Sequence, residues 1–311
     1  MRCLLFSALA LLFVNWLPAQ APLPLQDARR VLFLGDSITY SGGYVAHVAT
    51  WLELNHPNPA RQVLNLGLAS ETVSGLSEEG HAGGKFPRPD LHERLERVLA
   101  KTQPDLVLAC YGMNCGIYQA FDEMRFQAYQ KGITKLRAAV RKAGAEIIFI
   151  TPWAYDHVTG ENAHPTYNQE VLGAYAEWLL SRRASGWRVI DLHGAMSAEI
   201  ARRQAVDPKF SFQGDGVHPG SEGHWLAGHV IMKWAGDEKT AAFASPQAWL
   251  ATYPKGEEIH RLVSERLHLL RDAWLSETGH QRPGVKEGLP LDAAEKKAAE
   301  IGARLQKLRA E

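Results

Sequence analysis

Ser37 lies in Gly35-Asp36-Ser37-Ile38-Thr39, directly after the apolar run Arg30-Val31-Leu32-Phe33-Leu34. A serine at a strand-to-helix turn projects its hydroxyl from the end of a sheet, and its own backbone N–H can face a developing oxyanion. A free hydroxyl is a poor nucleophile at neutral pH and needs a general base, for which imidazole is the natural choice. His218, in Asp215-Gly216-Val217-His218-Pro219, supplies one late in the chain. Asp215 sits on the same short loop and can accept the other ring N–H, which fixes the tautomer and stabilises the imidazolium. Gly67, in Asn65-Leu66-Gly67, offers a backbone N–H, and Asn114, in Gly112-Met113-Asn114, a side-chain amide. With Ser37 they would form a three-donor oxyanion hole, each donor worth about 3 kcal/mol in the transition state. Each segment alone also has a structural reading: Ser37 or Thr39 as a helix cap, Asp215-Gly216 as a surface turn, Gly67 as a tight turn, Asn114 as an Asx turn.

The elements that must position these groups are legible as an alternation. Short apolar runs at Arg30 to Gly35, Val63 to Leu66, Asp105 to Cys110, Glu146 to Thr151 and Trp187 to Asp191 read as strands covered on both faces. Helical stripes lie between them: Tyr44 to Leu54; Leu91, Leu95, Val98 and Leu99; Phe126, Tyr129, Ile133, Leu136 and Val140; Val171, Tyr175, Trp178 and Leu179. A βαβα alternation predicts a five-stranded parallel sheet in a three-layer α/β/α domain over residues 28–236, with chemistry at the carboxyl ends of its strands. Ser37, Gly67, Asn114 and the residues after the fourth strand all fall at such ends. Residues 237–311 hold no strand candidate. Two stripes there, Ile259 to Leu270 and Ala294 to Leu308, predict a helical carboxyl-terminal extension that packs on the core or on a second copy of the chain, leaving a homo-oligomer open.

Composition narrows the partners. Lys plus Arg and Asp plus Glu both number 34, so the formal charge is zero, with no electrostatic footprint for nucleic acid. Arg2, the apolar run Leu4 to Val14 and Ala19-Gln20-Ala21 have the layout of a secretory signal peptide over residues 1–21, too short to span a bilayer comfortably. The expectation is an exported protein, periplasmic or secreted, with no stable membrane span once that segment is cleaved. Cys110 and Cys115 permit a bridge without implying one. His81, His157, His164 and His193 lack convergent metal-ligand spacing, so no metal is expected. Asp36, Trp153, Tyr155 and His157 fall at the strand ends where a substrate would lie.

In this set and order, Ser37, Gly67, Asn114 and His218 resemble the four named residues of the SGNH hydrolase superfamily, the GDSL-like esterases and lipases, and Asp215 matches the acid of its Asp-x-x-His block. The resemblance covers about residues 28–236. It implies a flavodoxin-like sheet, ester hydrolysis through an acyl-enzyme, and no cofactor. Two positions depart from the family pattern: Cys115 follows Asn114 where an aspartate is common, and Ser70 stands where a second glycine is common. The first bears on how Asn114 is held, the second on the pocket wall. The leading reading is a serine ester hydrolase acting on a small-molecule or carbohydrate ester, with O-deacetylation of a carbohydrate favoured. A lipase, thioesterase or aryl esterase, and a non-catalytic binding protein of the same fold, are the alternatives.

Overall fold

The computed structural model describes residues 23–158 and 164–311; the signal-peptide reading falls outside them. Five strands, β1 (Arg30–Gly35), β2 (Gln62–Asn65), β3 (Leu106–Cys110), β4 (Glu146–Ile150) and β5 (Arg188–Ile190), form one all-parallel sheet in the order β2-β1-β3-β4-β5. This is the flavodoxin-like order. Val31 to Leu34, Leu106 to Ala109 and Ile148 to Ile150 are almost wholly buried, as apolar strands covered on both faces must be. The register aligns the carboxyl ends: Phe33 pairs with Asn65, Gly35 with Cys110, Cys110 with Ile150 and Ile150 with Ile190. Whatever follows each strand therefore emerges along one edge.

Ten α-helices accompany the sheet among the described residues: α1 (Ser37–Ser41), α2 (Gly43–Asn55), α3 (Leu91–Thr102), α4 (Glu123–Lys142), α5 (Gly173–Ser181), α6 (Leu192–Gln204), α7 (Ser221–Trp234), α8 (Pro246–Leu250), α9 (Gly256–Thr278) and α10 (Leu291–Ala310). The four predicted interior stripes correspond to α2, α3, α4 and α5. A π-helical turn, Tyr167–Leu172, leads into α5. Helix α6 carries a mixed pattern, with Met196 and Ile200 inward amid exposed and half-buried Arg and Glu, and gave no usable stripe.

The carboxyl-terminal helices are part of the same body. Leu267, Leu270, Trp274 and Leu275 of α9 join the main core, and α9 packs against α2, β2 and α3. A smaller cluster links Ala49 of α2 with Ile259, Leu262 and Val263 of α9 and Ile301 and Leu305 of α10. No described helix is long and apolar enough to cross a membrane.

The contact between α2 and α9 contains a pair of imidazoles, His47 buried and His260 half-buried. His47 stacks on His260 with ring centroids 4.9 Å apart, and His260 Nδ1 pairs with Thr50 Oγ1 at 2.8 Å. Burial, then His260 and His224 nearby, drives the His47 imidazole down to about 3. The unfolded chain takes up this proton near pH 6.5 while the folded chain refuses it, so stability is present above that value and is lost as pH falls towards 3. Urea unfolding is expected to lose about 1.4 kcal/mol per pH unit from this residue between pH 6 and 4. The variant His47→Gln should show a correspondingly shallower slope; an identical slope would contradict this.

Candidate active site

The site assembles from β1 outward. Asp36 caps α1, its Oδ1 accepting the Ile38 N–H at 3.0 Å, and so sets Ser37 as the first helical residue. A helix leaves its first N–H groups without internal acceptors, and the Ser37 N–H has none among the described residues. Ser37 Oγ lies 2.8 Å from His218 Nε2, and His218 Nδ1 lies 2.7 Å from Asp215 Oδ2. The other Asp215 oxygen accepts the backbone N–H groups of Val217 (2.9 Å) and His218 (2.7 Å). Partial burial raises the Asp215 carboxyl, but the hydrogen bonds from the His218 backbone and ring and from Val217 outweigh it and leave it below its ordinary range. Asp215 is therefore held as a carboxylate beside the His218 ring.

The loop carrying this pair is tied to the exit of β4. Gln213 Nε2 donates to Ala154 O at 2.7 Å, Ser211 Oγ to Asp156 O at 3.0 Å, and Asp156 N to Gly216 O at 3.0 Å. Gly216 makes the turn with φ +80°, a conformation open to glycine. The His218 and Asp215 side chains remain 52% and 57% exposed, so the hydrogen-bonded chain opens directly to solvent.

Gly67 requires a correction. Its N–H donates to Asn65 Oδ1 at 3.0 Å, and Asn65 Nδ2 donates to Thr39 O at 2.6 Å. A Cβ at Gly67 would stand 2.4 Å from Tyr40 N. The glycine is there because the loop after β2 lies against the backbone of α1, and its N–H is spent inside that contact. Just beyond it, the N–H groups of Ala69 and Ser70 have no acceptor among the described residues. Ser70 holds φ +67°, so a non-glycine residue keeps the left-handed backbone that a glycine would take most easily.

Asn114 is 5% exposed. Its Nδ2 donates to Glu71 O at 3.3 Å, and its Oδ1 accepts from Tyr118 Oη at 3.2 Å. The second amide hydrogen has no acceptor among the described residues. Cys115 does not bond to Asn114; its sulfur accepts the Val73 N–H at 3.4 Å, tying the loop after β3 to that after β2. Burial pushes its thiol up to about 12. Cys110 and Cys115 are both free.

Sequence reasoning missed the buried cluster behind this edge. Glu71, fully buried, accepts from Arg94 Nε at 2.6 Å, Arg94 Nη2 at 2.7 Å and Tyr111 Oη at 2.6 Å, and Arg94 Nη2 also reaches Leu66 O at 2.7 Å. Glu71 and Arg94 fall in separate segments with no shared spacing, so only the tertiary structure pairs them. His224, also missed, sits behind α1: Nε2 faces Ser41 Oγ at 3.2 Å, Nδ1 accepts the Tyr44 N–H at 3.2 Å, and burial lowers its imidazole to about 4.

Two expected substrate contacts point inward. Trp153 is 1% exposed and packs edge-on against Tyr44 and His224. Asp36 is 2% exposed and serves as the helix cap; burial raises its carboxyl to about 6, against the Ile38 N–H and His218. Tyr155 and His157 stack, centroids 6.4 Å apart, and both lie against Gly216. Among the described residues no group of three or more His, Cys, Asp or Glu could hold a metal ion.

The Ser37 hydroxyl, the His218 imidazole and the Asp215 carboxylate thus form one hydrogen-bonded chain at the carboxyl edge of a flavodoxin-like sheet. The chain belongs to the GDSL-like Lipase/Acylhydrolase family, which matches residues 33–226. Among solved structures, it is similar to a gut microbial diltiazem-metabolizing enzyme, with 22% identity and a TM-score of 0.57, over 70% of this chain and 49% of that one. This chain thus spans about half the length of that enzyme. It is also similar to a catalytic mutant of the acetylxylan esterase Axe2 from Geobacillus stearothermophilus, with 21% identity and a TM-score of 0.51, over 67% of this chain and 94% of that one. The acetyl xylan esterase AlAXEase has 19% identity and a TM-score of 0.50, over 66% and 98%. These likenesses are of fold. No curated protein matches the chain.

The clamp on Glu71 has a measurable consequence. Glu71→Gln strands the Arg94 charge inside the protein and is expected to cost about 3–5 kcal/mol in urea unfolding, whereas Tyr111→Phe should cost about 1 kcal/mol. Losses below 1 kcal/mol for both would contradict the clamp.

Proposed function

We propose that the protein is a serine ester hydrolase that works through an acyl-enzyme, with Ser37 as nucleophile, His218 as general base and acid, and Asp215 as the group that orients and stabilises the imidazolium. The observation that carries this reading is the continuous chain Ser37 Oγ to His218 Nε2 at 2.8 Å and His218 Nδ1 to Asp215 Oδ2 at 2.7 Å.

Ser37 Oγ attacks the ester carbonyl carbon while its proton passes to His218 Nε2. The carbonyl oxygen becomes an oxyanion, met by the Ser37 N–H, the free Asn114 amide hydrogen and the Ser70 N–H. Collapse of the tetrahedral intermediate breaks the bond to the alcohol oxygen, which leaves with the proton from His218. Water, deprotonated by the same imidazole, then attacks the acyl-serine; the acid departs, and the proton returns to Ser37.

An O-acetylated carbohydrate is the substrate we favour. Support comes from the exposure of the His218 and Asp215 side chains, which leaves room for a bulky, hydrated alcohol. Two similar structures are of enzymes named for acetylxylan. The reading includes export, supported by the composition of residues 1–21.

Purified protein is expected to turn over p-nitrophenyl acetate. Ser37→Ala should lower kcat by about 10⁴-fold or more, and Asn114→Ala by about 10²–10³-fold. Wild-type turnover no greater than that of Ser37→Ala would overturn the proposal.

A further inference from the structure

A cavity of about 590 Å³ opens between α5 and α6, beside the residues that leave β4. Its volume is that of a small-molecule site, roughly 300–1,000 Å³. The Ser37–His218–Asp215 chain does not line it. Tyr155, Asp156, Glu177, Asp191, His193 and Ser197 do.

Several of these groups are buried without satisfaction. Asp156 is 9% exposed; its Oδ1 accepts from Gln204 Nε2 at 3.1 Å, while its Oδ2 has no hydrogen-bond partner among the described residues. His193 Nδ1 and Ser197 Oγ are likewise buried and without a partner among the described residues. Burial, outweighing the bond from Gln204, holds the Asp156 carboxyl above its ordinary range. An unmade hydrogen bond at a buried polar atom costs about 1–3 kcal/mol, so this concentration calls for a partner.

The lining selects the ligand's chemistry. Three carboxylates and no lysine or arginine among the described lining residues disfavour an anion. An apolar molecule would leave Asp156 Oδ2, His193 Nδ1 and Ser197 Oγ unpaired. A neutral polyol donates hydroxyls to the carboxylates, exchanges hydrogen bonds with Ser197 and His193, and can lay a ring face on Tyr155.

The cavity also adjoins the catalytic loop. Tyr155 lines it and reaches Gly216, where a Cβ would stand 3.1 Å from Tyr155 Cε2. Asp156 N donates to Gly216 O at 3.0 Å. One residue thus separates the cavity from the loop that holds His218.

We propose that this cavity is a saccharide subsite that binds unacetylated sugar units of the carbohydrate ester whose acyl group is cleaved at Ser37. The inference rests on the hydrolase reading for its catalytic consequence, but not for binding itself.

The test pairs calorimetry with uncleavable xylotetraose and kinetics on two esters, using the full chain. Wild type is expected to bind xylotetraose. Ser197→Leu, which fills the cavity, should weaken binding at least tenfold, and the shape-preserving Glu177→Gln at least threefold. On acetylated xylotetraose both variants should raise KM by similar factors, with turnover of p-nitrophenyl acetate unchanged. No xylotetraose binding by wild type, binding indifferent to both variants, or preferential binding of the organic cation choline would overturn the subsite. Loss of p-nitrophenyl acetate turnover in wild type would instead defeat the hydrolase reading and leave the calorimetry to judge the cavity.

Discussion

One imidazole held between a hydroxyl and a carboxylate governs the organisation of this protein. In the proposed mechanism His218 takes the proton from Ser37 while Asp215 orients its other nitrogen, and the two contacts, at 2.8 and 2.7 Å, centre on the exposed His218 and Asp215 side chains. Exposed pairs of this kind contribute little to stability on their own. The geometry must be imposed from below. The bonds from Gln213, Ser211 and Asp156 fasten the histidine loop to the exit of β4, while the Asp36 cap fixes the serine at the exit of β1.

The side that carries Asn114 is built on the opposite principle, from groups withdrawn from water. Glu71 and Arg94 neutralise each other with almost no exposure, and Tyr111 and Leu66 O occupy further positions around them. A buried ion pair is a weak source of net stability but a firm one of geometry, because removing either partner leaves a bare charge. Here the backbone of Glu71 also receives the Asn114 amide, and Glu71 follows Ser70 directly, so the clamp fixes two of the three donors assigned to the oxyanion. Cys115 takes the Val73 N–H where the family commonly has an aspartate, joining the same two loops with a neutral group.

The sheet was legible because its signals are local and redundant. Each strand is an apolar run with a turn residue near its end, and parallel pairing follows from the helices between. Ser37, Asp215 and His218 were legible for a related reason: two short segments carry complementary chemistry. Gly67 was misread because a glycine's type cannot reveal whether its N–H is free; only the Asn65 side chain and the proximity of Tyr40 decide that. Trp153 and Asp36 were placed at the correct edge, but their sequence position does not fix inward or outward orientation. The Glu71–Arg94 pair and His224 were invisible because their partners lie far away in sequence. Helix α9 was visible as a stripe, while its merger with the main core depended on how β2 and α2 presented their faces.

The central claim is that His218 activates the Ser37 hydroxyl. A fluorophosphonate reports this directly, because it phosphonylates an activated serine and the adduct can be located by peptide mass spectrometry. The account predicts a single adduct on Ser37 whose rate of formation falls by at least 10³-fold in His218→Ala. Adduct formation on another serine, or labelling of Ser37 at the same rate without His218, would contradict it.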